Sequence, residues 1–564
     1  MSFSHTKIPR SYVRLDYTTN RPSIVSVDNK PILCYNMDTA FDDKIGKKMN
    51  KKTKLYILLA LIIALGFFLR VYNIENAPPG VYPDEAVNGE DALRALETGD
   101  FQWFYPANQG REGLFMNLIA LCFKLFGVSV LTLKLPAIIF GTLTILGTFL
   151  LARELFSTRV GFFSAFLVSV GYWAINFSRI SFRANMLPFV LVFAFYFLWK
   201  GLRTKKWTDF AAGGFIFGLG LHTYIAFRIA PAILVVALLS FLISRPNFLK
   251  EYWRRILVFI FFTSLAAAPM LYTLLVAHPE YLESRSSSIS IMSPEVNKGH
   301  LLQTFLKSFG LSLAKYNFWG DQNWRHNYPP YPILDFLTGI AFLFGFLYSF
   351  LRLFRLLYLR IFQKIRSPQL DIYVFLLSWF FIMLAPEFLT AEGNPHALRS
   401  IGTIPVVFIF AGLAFDYILK ISSDRSAFYK KIVITFIAVF FSFIGIFNTV
   451  KYFYFWANKP ETARSFEKNL MEVTNYLKLL PAEEEKFVIA ENMQRIPIKI
   501  FSTEILNISF VYPREINRIN PQKSFTIILT NRDDGVIAGL QKRFPGLELK
   551  EFKDAVGSTF YVLK

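Results

Sequence analysis

Apolar runs of roughly 17 to 25 residues recur eleven times along this chain, and that recurrence limits its fold more than any other feature. They lie near 55–74, 130–152, 159–177, 186–202, 208–225, 229–244, 256–276, 332–351, 371–389, 400–419 and 431–452. Each is long enough for an α-helix to cross the bilayer core, where every backbone polar group must be satisfied within the segment. Composition agrees: 54% of the residues are hydrophobic, 63 of them phenylalanine, and the mean hydropathy of +0.38 excludes an ordinary soluble globule. The expected fold class is a polytopic α-helical membrane protein with about 11 transmembrane helices and a small C-terminal α/β extracytoplasmic domain.

The net charge of +21 would suit a nucleic-acid partner, but Lys and Arg fall in clusters between the apolar runs. That pattern sets orientation in a membrane, so no nucleic acid is expected. Lys51, Lys52 and Lys54 precede the first run and put the N-terminus in the cytoplasm. Carried through eleven crossings, the basic clusters at 153–159, 200–206, 245–255, 352–366 and 420–431 all fall on that side. Residues 75–129, 178–185, 222–228, 277–331 and 390–399 then face the extracytoplasmic side, where chemistry is expected. The two cysteines, Cys34 and Cys122, support neither a disulfide framework nor a thiolate metal site.

Three domains follow. Residues 1–50 mix Ser, Thr, Asp, Asn and Lys without period, which predicts a disordered cytoplasmic tail. Residues 51–454 form the transmembrane domain, with large outer loops at 75–129 and 277–331. Residues 455–564 read as a C-terminal soluble α/β domain, with strands near 486–490, 524–529 and 559–563 and a helix over 461–479. Leu114 to Phe126 is apolar but too short to span, and is expected to lie as a juxtamembrane or re-entrant helix.

Candidate chemistry gathers in the outer segments. Asp84 and Glu85 follow the first apolar run closely, and an ionised carboxylate at a membrane boundary is costly unless solvated or paired. Either can serve as a general base on an acceptor hydroxyl. Gly110-Arg111-Glu112-Gly113 leads into the short helix; Arg111 is either a phosphate ligand between glycines or an interfacial arginine paired with its neighbour. Arg179 and Arg183 stand four residues apart beside the third run, and His222, Tyr224 and Arg228 recur at the end of the fifth. The long outer loop opens on His278 and Arg285 and closes on Asn323, Trp324, Arg325, His326 and Asn327, while His396 and Arg399 precede the tenth run. Several convergent cations beside a carboxylate suggest an anionic headgroup entering sideways from the bilayer. No H-x-x-x-H or E-x-x-H spacing is present, so a divalent metal has no support in the sequence.

In these pieces the chain resembles the GT-C superfamily of integral-membrane glycosyltransferases, specifically the bacterial relatives of protein O-mannosyltransferase and of lipid A aminoarabinose transferase. The resemblance rests on Asp84-Glu85, on Gly110 through Phe115, on Ser178-Arg179 to Arg183 and on Pro395-His396-Ala397-Leu398-Arg399, and covers roughly residues 55–400. It implies an inverting transferase in the plasma (inner) membrane that moves a sugar from a polyprenyl-phosphate carrier to a protein, glycan or lipid acceptor. Asp84 matches the family's catalytic carboxylate by its place in the loop. Arg111 falls where the aminoarabinose enzymes carry a lysine near the carrier phosphate, and Glu112-Gly113 stands where those relatives have paired prolines. The rival readings are a flippase for polyprenyl-linked sugars, which would call for internal repeats and broken midplane helices, and a non-catalytic assembly partner.

Overall fold

The computed structural model describes residues 24–27, 30–33, 50–106, 110–281, 290–390 and 392–564. Within the first fifty residues, β1 (Ile24–Val27) and β2 (Lys30–Leu33) pair as a short antiparallel hairpin, with Ile24 opposite Leu33. The rest of the expected tail lies outside the described residues, as does Cys34.

Among the described residues, nine helices are long and apolar enough to cross a membrane. The tally reaches ten if the bent pair α5 (Thr158–Val170) and α6 (Tyr172–Ser178) counts as one span. About eleven are expected from the sequence, and the difference in count is local. The chain leaves helical geometry at Gly171, whose ψ of 126° sends α6 off at 58° to α5. The break strands the last carbonyls of α5, and Arg70 near the end of α1 (Lys51–Val71) satisfies them, donating to the carbonyls of Ser169 at 3.1 Å and Val168 at 3.2 Å. The run expected over 208–225 becomes α8 (Trp207–Leu219), with thirteen α-helical residues followed by a 3-10 turn over Gly220–His222. Glycines let α8 press against the neighbouring helix Phe248–Tyr272: a Cβ on Gly214 would lie 2.2 Å from the Phe259 carbonyl oxygen.

The two ends of the bundle differ chemically. At one end the basic clusters meet acidic partners: Arg203 reaches Glu154 at 2.5 Å, Lys205 reaches Glu251 at 2.5 Å, and Asp416 takes Arg159 at 2.9 Å and Lys420 at 2.7 Å. At the other end, α2 (Pro83–Thr98), α3 (Leu114–Phe126) and α4 (Val130–Leu155) share an apolar cluster built on Ala86, Phe115, Met116, Ile119, Phe123 and Leu133. α3 has the bounds its thirteen-residue apolar run predicts.

The C-terminal region forms a five-stranded sheet ordered β6-β5-β7-β9-β8. Its strands are β5 (Glu485–Ile489), β6 (Ile508–Val511), β7 (Phe525–Leu529), β8 (Leu549–Lys553) and β9 (Thr559–Leu563). β5 runs parallel to β6 and β7, whereas β9 is antiparallel to β7 and β8. The helix expected over 461–479 is interrupted at Glu467, which adopts φ 47°, between segments Pro460–Ser465 and Lys468–Leu479. Helix Asn492–Phe501 crosses to the bundle, where Ile500 and Phe501 join the apolar cluster of α2 to α4.

Candidate active site

The first turn of α2 organises the site. Tyr82 precedes the helix, Pro83 fits the first helical position without losing a needed N–H, and Glu85 reaches back to accept the Tyr82 N–H at 3.1 Å. Asp84 is left half-buried on the wall of a cavity of about 380 Å³. One helical turn on, at spacings of four and then three, Asn88 and Asp91 stand on the same face as Asp84.

Those two residues hold Arg111. Its guanidinium donates to Asn88 Oδ1 at 2.9 Å and is ion-paired with Asp91, which also takes Arg94 at 2.5 Å. Arg111 and Glu112 form β4, paired with β3 (Phe104–Tyr105), so that Arg111 faces the cavity wall and Glu112 turns toward Arg183. Burial lowers the pKa of the Arg111 guanidinium, and Asp91 and Asp84 pull the other way. The flanking glycines serve packing: a Cβ on Gly110 would lie 2.2 Å from the Phe104 ring, and one on Gly113 would lie 2.1 Å from the Gln102 carbonyl oxygen.

Arg183 arrives from the opposite wall, at the start of the 3-10 turn Arg183–Asn185. Its Nε bonds Glu112 Oε2 at 2.5 Å, and its guanidinium lies 5.9 Å from the Tyr224 ring centre. Ser181, two residues earlier, is gripped by α2: its N–H donates to Glu85 Oε1 at 2.6 Å and its carbonyl accepts from Asn88 at 3.0 Å. Glu85 is wholly buried, with Lys134 at 4.0 Å; burial pushes its carboxyl up, and Lys134 and the Ser181 amide oppose that. Its position is that of a brace that sets where Arg183 lies. Val87, Phe182, Ala184, Leu398 and Met493, the last from helix Asn492–Phe501, complete the lining.

Of the expected site residues, the cavity brings together Asp84, Arg111, Arg183 and Tyr224, from three separated stretches. Others lie elsewhere, each with a local employment. Arg179 is fully buried and donates to the carbonyls of Leu69 at 2.8 Å and Ala77 at 3.0 Å, which caps α1. Arg399 ties its own loop through Thr390 at 2.7 Å and Glu392 at 3.1 Å. His222 is buried against the Ala266 carbonyl at 2.9 Å, His278 lies exposed 3.2 Å from Glu280, and Arg228 sits in the 3-10 turn Ile225–Ile229. Arg285 lies outside the described residues.

The 321–327 loop folds on itself. Asn323 accepts the Arg325 N–H at 3.0 Å, Asn327 donates to the carbonyls of Asp321 at 3.1 Å and Tyr331 at 2.7 Å, and the Trp324 carbonyl accepts from Trp456 at 2.9 Å. Arg325 lies 4.1 Å over the Tyr82 ring, beside the start of α2. His326 and His396 do converge, with Asp321 rather than with Asp84. The sequence reading did not single out Val87, Asn88, Ala184 or Met493 and held Phe182 and Leu398 only within longer motifs; the helical spacing from Asp84 could have found Asn88, whereas nothing local marks Met493.

Comparison with known proteins adds family context. The dolichyl-phosphate-mannose-protein mannosyltransferase family matches residues 114–272. The Bacillus subtilis (strain 168) protein YkcB, which carries a mannosyltransferase name, is 26% identical over 204 residues, a stretch spanning 34% of this chain and 27% of that relative. Among solved structures, ArnT from Cupriavidus metallidurans bound to undecaprenyl phosphate aligns over 91% of this chain and 98% of its own, at 12% identity and a TM-score of 0.49. AglB, an oligosaccharyltransferase from Archaeoglobus fulgidus in complex with an inhibitory peptide and a dolichol-phosphate, aligns over 91% of this chain and 74% of its own, at 14% identity and a TM-score of 0.49.

Proposed function

We propose that this chain is an inverting glycosyltransferase that moves a sugar from a polyprenyl-phosphate carrier to an acceptor at the extracytoplasmic face of the membrane. The observation that carries the reading is the cavity itself: a half-buried carboxylate, Asp84, shares about 380 Å³ with the guanidinium of Arg111 and that of Arg183, at the end of the bundle opposite the basic clusters. The match of residues 114–272 to a mannosyltransferase family supports sugar transfer from a lipid-linked donor.

The chemistry follows from those positions. Asp84 takes the proton of the acceptor hydroxyl, the acceptor oxygen bonds to the anomeric carbon, and the bond from that carbon to the phosphate oxygen breaks. The phosphate leaves with the electron pair as the polyprenyl phosphate, and the anomeric configuration inverts. Charge grows on the leaving phosphate, and Arg183 is placed to meet it. Its bond to Glu112 uses Nε and fixes the guanidinium plane, and among the described residues its terminal amino groups make no other hydrogen bond. Arg111 is held more tightly, between Asn88 and Asp91, and acts as a fixed positive wall.

The test is transfer by purified protein supplied with a polyprenyl-phosphate-linked sugar and a cell-envelope acceptor fraction. Asp84→Asn is expected to cut transfer by about 10²- to 10⁴-fold with the fold retained, the range of positioned proton transfer. Undiminished transfer in that variant removes Asp84 as the base. Donor translocation across vesicles without any transfer replaces the reading with a flippase.

A further inference from the structure

Behind the cavity wall lies a cluster that the proposed transfer does not use. Asp321, His326 and His396 each offer a ligand atom within 4.8 Å of the others, and the two imidazole ring centres are 4.8 Å apart. The cluster joins two loops that are distant in sequence. It touches the cavity indirectly, through Phe182, whose ring lies 6.4 Å from that of His326, and through Leu398, two residues beyond His396.

The proton positions follow from the partners. Asp321 Oδ2 lies 3.0 Å from His326 Nδ1 and accepts the Ala397 N–H at 2.7 Å, while Oδ1 accepts the Asn323 N–H at 2.8 Å. An ionised carboxylate can only accept, so Nδ1 of His326 carries the hydrogen, and in the neutral imidazole Nε2 is then the nitrogen that keeps a lone pair. His396 adds a second: its Nδ1 is buried and makes no hydrogen bond among the described residues. Leaving a buried polar atom without a partner is costly; the His326 ring packs beside Phe177 and Phe182, while His396 donates its backbone N–H to Glu387 Oε1 at 3.0 Å, close to Lys315 and Arg399.

We propose that His326 and His396 ligate a divalent transition-metal ion, with Asp321 as the carboxylate that orients His326. Imidazole donors favour Zn²⁺ over the hard oxygen-seeking cations Mg²⁺ and Ca²⁺. Donors around tetrahedral zinc stand about 3.4 Å apart for bonds of about 2.1 Å, closer than the 4.8 Å within which the three ligand atoms now lie, so binding draws the side chains inward. A carboxylate behind a ligating histidine is the arrangement that fixes tautomer and ring orientation at such centres. The ion would pin the 321–327 loop to the loop bearing Leu398 and so stiffen one wall of the cavity. This inference stands apart from the proposed transfer reaction.

The experiment measures metal directly. Full-length protein, purified without a polyhistidine tag and stripped with chelator, is titrated with ZnCl₂ by calorimetry, and the bound metal is quantified by mass spectrometry. One zinc per chain is expected, with affinity at least about 10-fold weaker in His326→Gln and in His396→Gln, and about 10- to 100-fold weaker in Asp321→Asn. Failure of the wild type to hold stoichiometric zinc, or undiminished binding in both histidine variants, overturns the site. Should a variant not fold, zinc-edge X-ray absorption on the wild type decides: imidazole scattering from two ligands sustains the site, and a first shell without it overturns the site.

Discussion

Asp84, in the first turn of α2, and Met493, in helix Asn492–Phe501 of the C-terminal region, line the same cavity although more than four hundred residues separate them. The contact is supported around its edge. Ile500 Cδ1 lies 3.3 Å from where a Cβ on Gly89 would stand, and Lys499 approaches Glu90 at 3.6 Å. The C-terminal region therefore shapes the space beside the carboxylate rather than hanging apart from it.

Met493→Trp is expected to lower transfer by filling that space. Met493 is 47% exposed, so the substitution should change stability by no more than about 0.5 kcal/mol. The check is the rate alongside the melting temperature in detergent, with Met493→Leu retaining the wild-type rate. A Trp variant as active as wild type would show that the acceptor does not pass this wall.

Glu85 and Asp84 are neighbours in sequence with different work, and substitution should separate them. Glu85→Ala leaves the amides of Tyr82 and Ser181 unpaired and Lys134 without its nearby counter-charge, a change expected to cost about 3–5 kcal/mol of stability. Thermal unfolding measures it. A Glu85 variant that melts like wild type but transfers no sugar would give the catalytic part to Glu85 instead.

Arg183 and Glu112 form the pair nearest the proposed leaving group, with side chains 13% and 7% exposed. Arg183→Gln should raise the donor KM and slow the chemical step together, because it removes the groups that meet the phosphate. Glu112→Gln should act by loosening Arg183, so a double-mutant cycle on kcat/KM is expected to show coupling of about 0.5–3 kcal/mol. Additive effects in that cycle would separate the two residues.

Arg179 is an arginine of the fold. Arg179→Met keeps much of the side-chain volume but leaves the carbonyls of Leu69 and Ala77 without a donor, at about 1–3 kcal/mol each. The expected signature is a lower melting temperature with an unchanged donor KM in the folded fraction. A raised donor KM at normal stability would return Arg179 to the phosphate site.

The sequence by itself determined the class of molecule and one end of its site. Apolar runs longer than a bilayer core admit few structures besides spanning helices, so α1, α4 and α7 (Met186–Thr204) could be read locally, as could the non-spanning length of α3. The Asp84-Glu85 pair was legible because charge beside an apolar run is costly, and that cost is visible without coordinates. Which carboxylate faces the cavity was not, since neighbours on a helix point about 100° apart and only the packing of α2 against Ser181 chose Glu85 for the interior. Likewise Arg179 and Arg183 look alike at a helix end, yet one meets the carbonyls that end α1 and the other meets Glu112, because the break at Gly171 and the turn at Arg183 aim them apart. The tertiary structure alone assembled Asp321 with His326 and His396, and Met493 with Asp84: such pairs close long loops, and nothing in the local sequence encodes which distant residue will stand opposite.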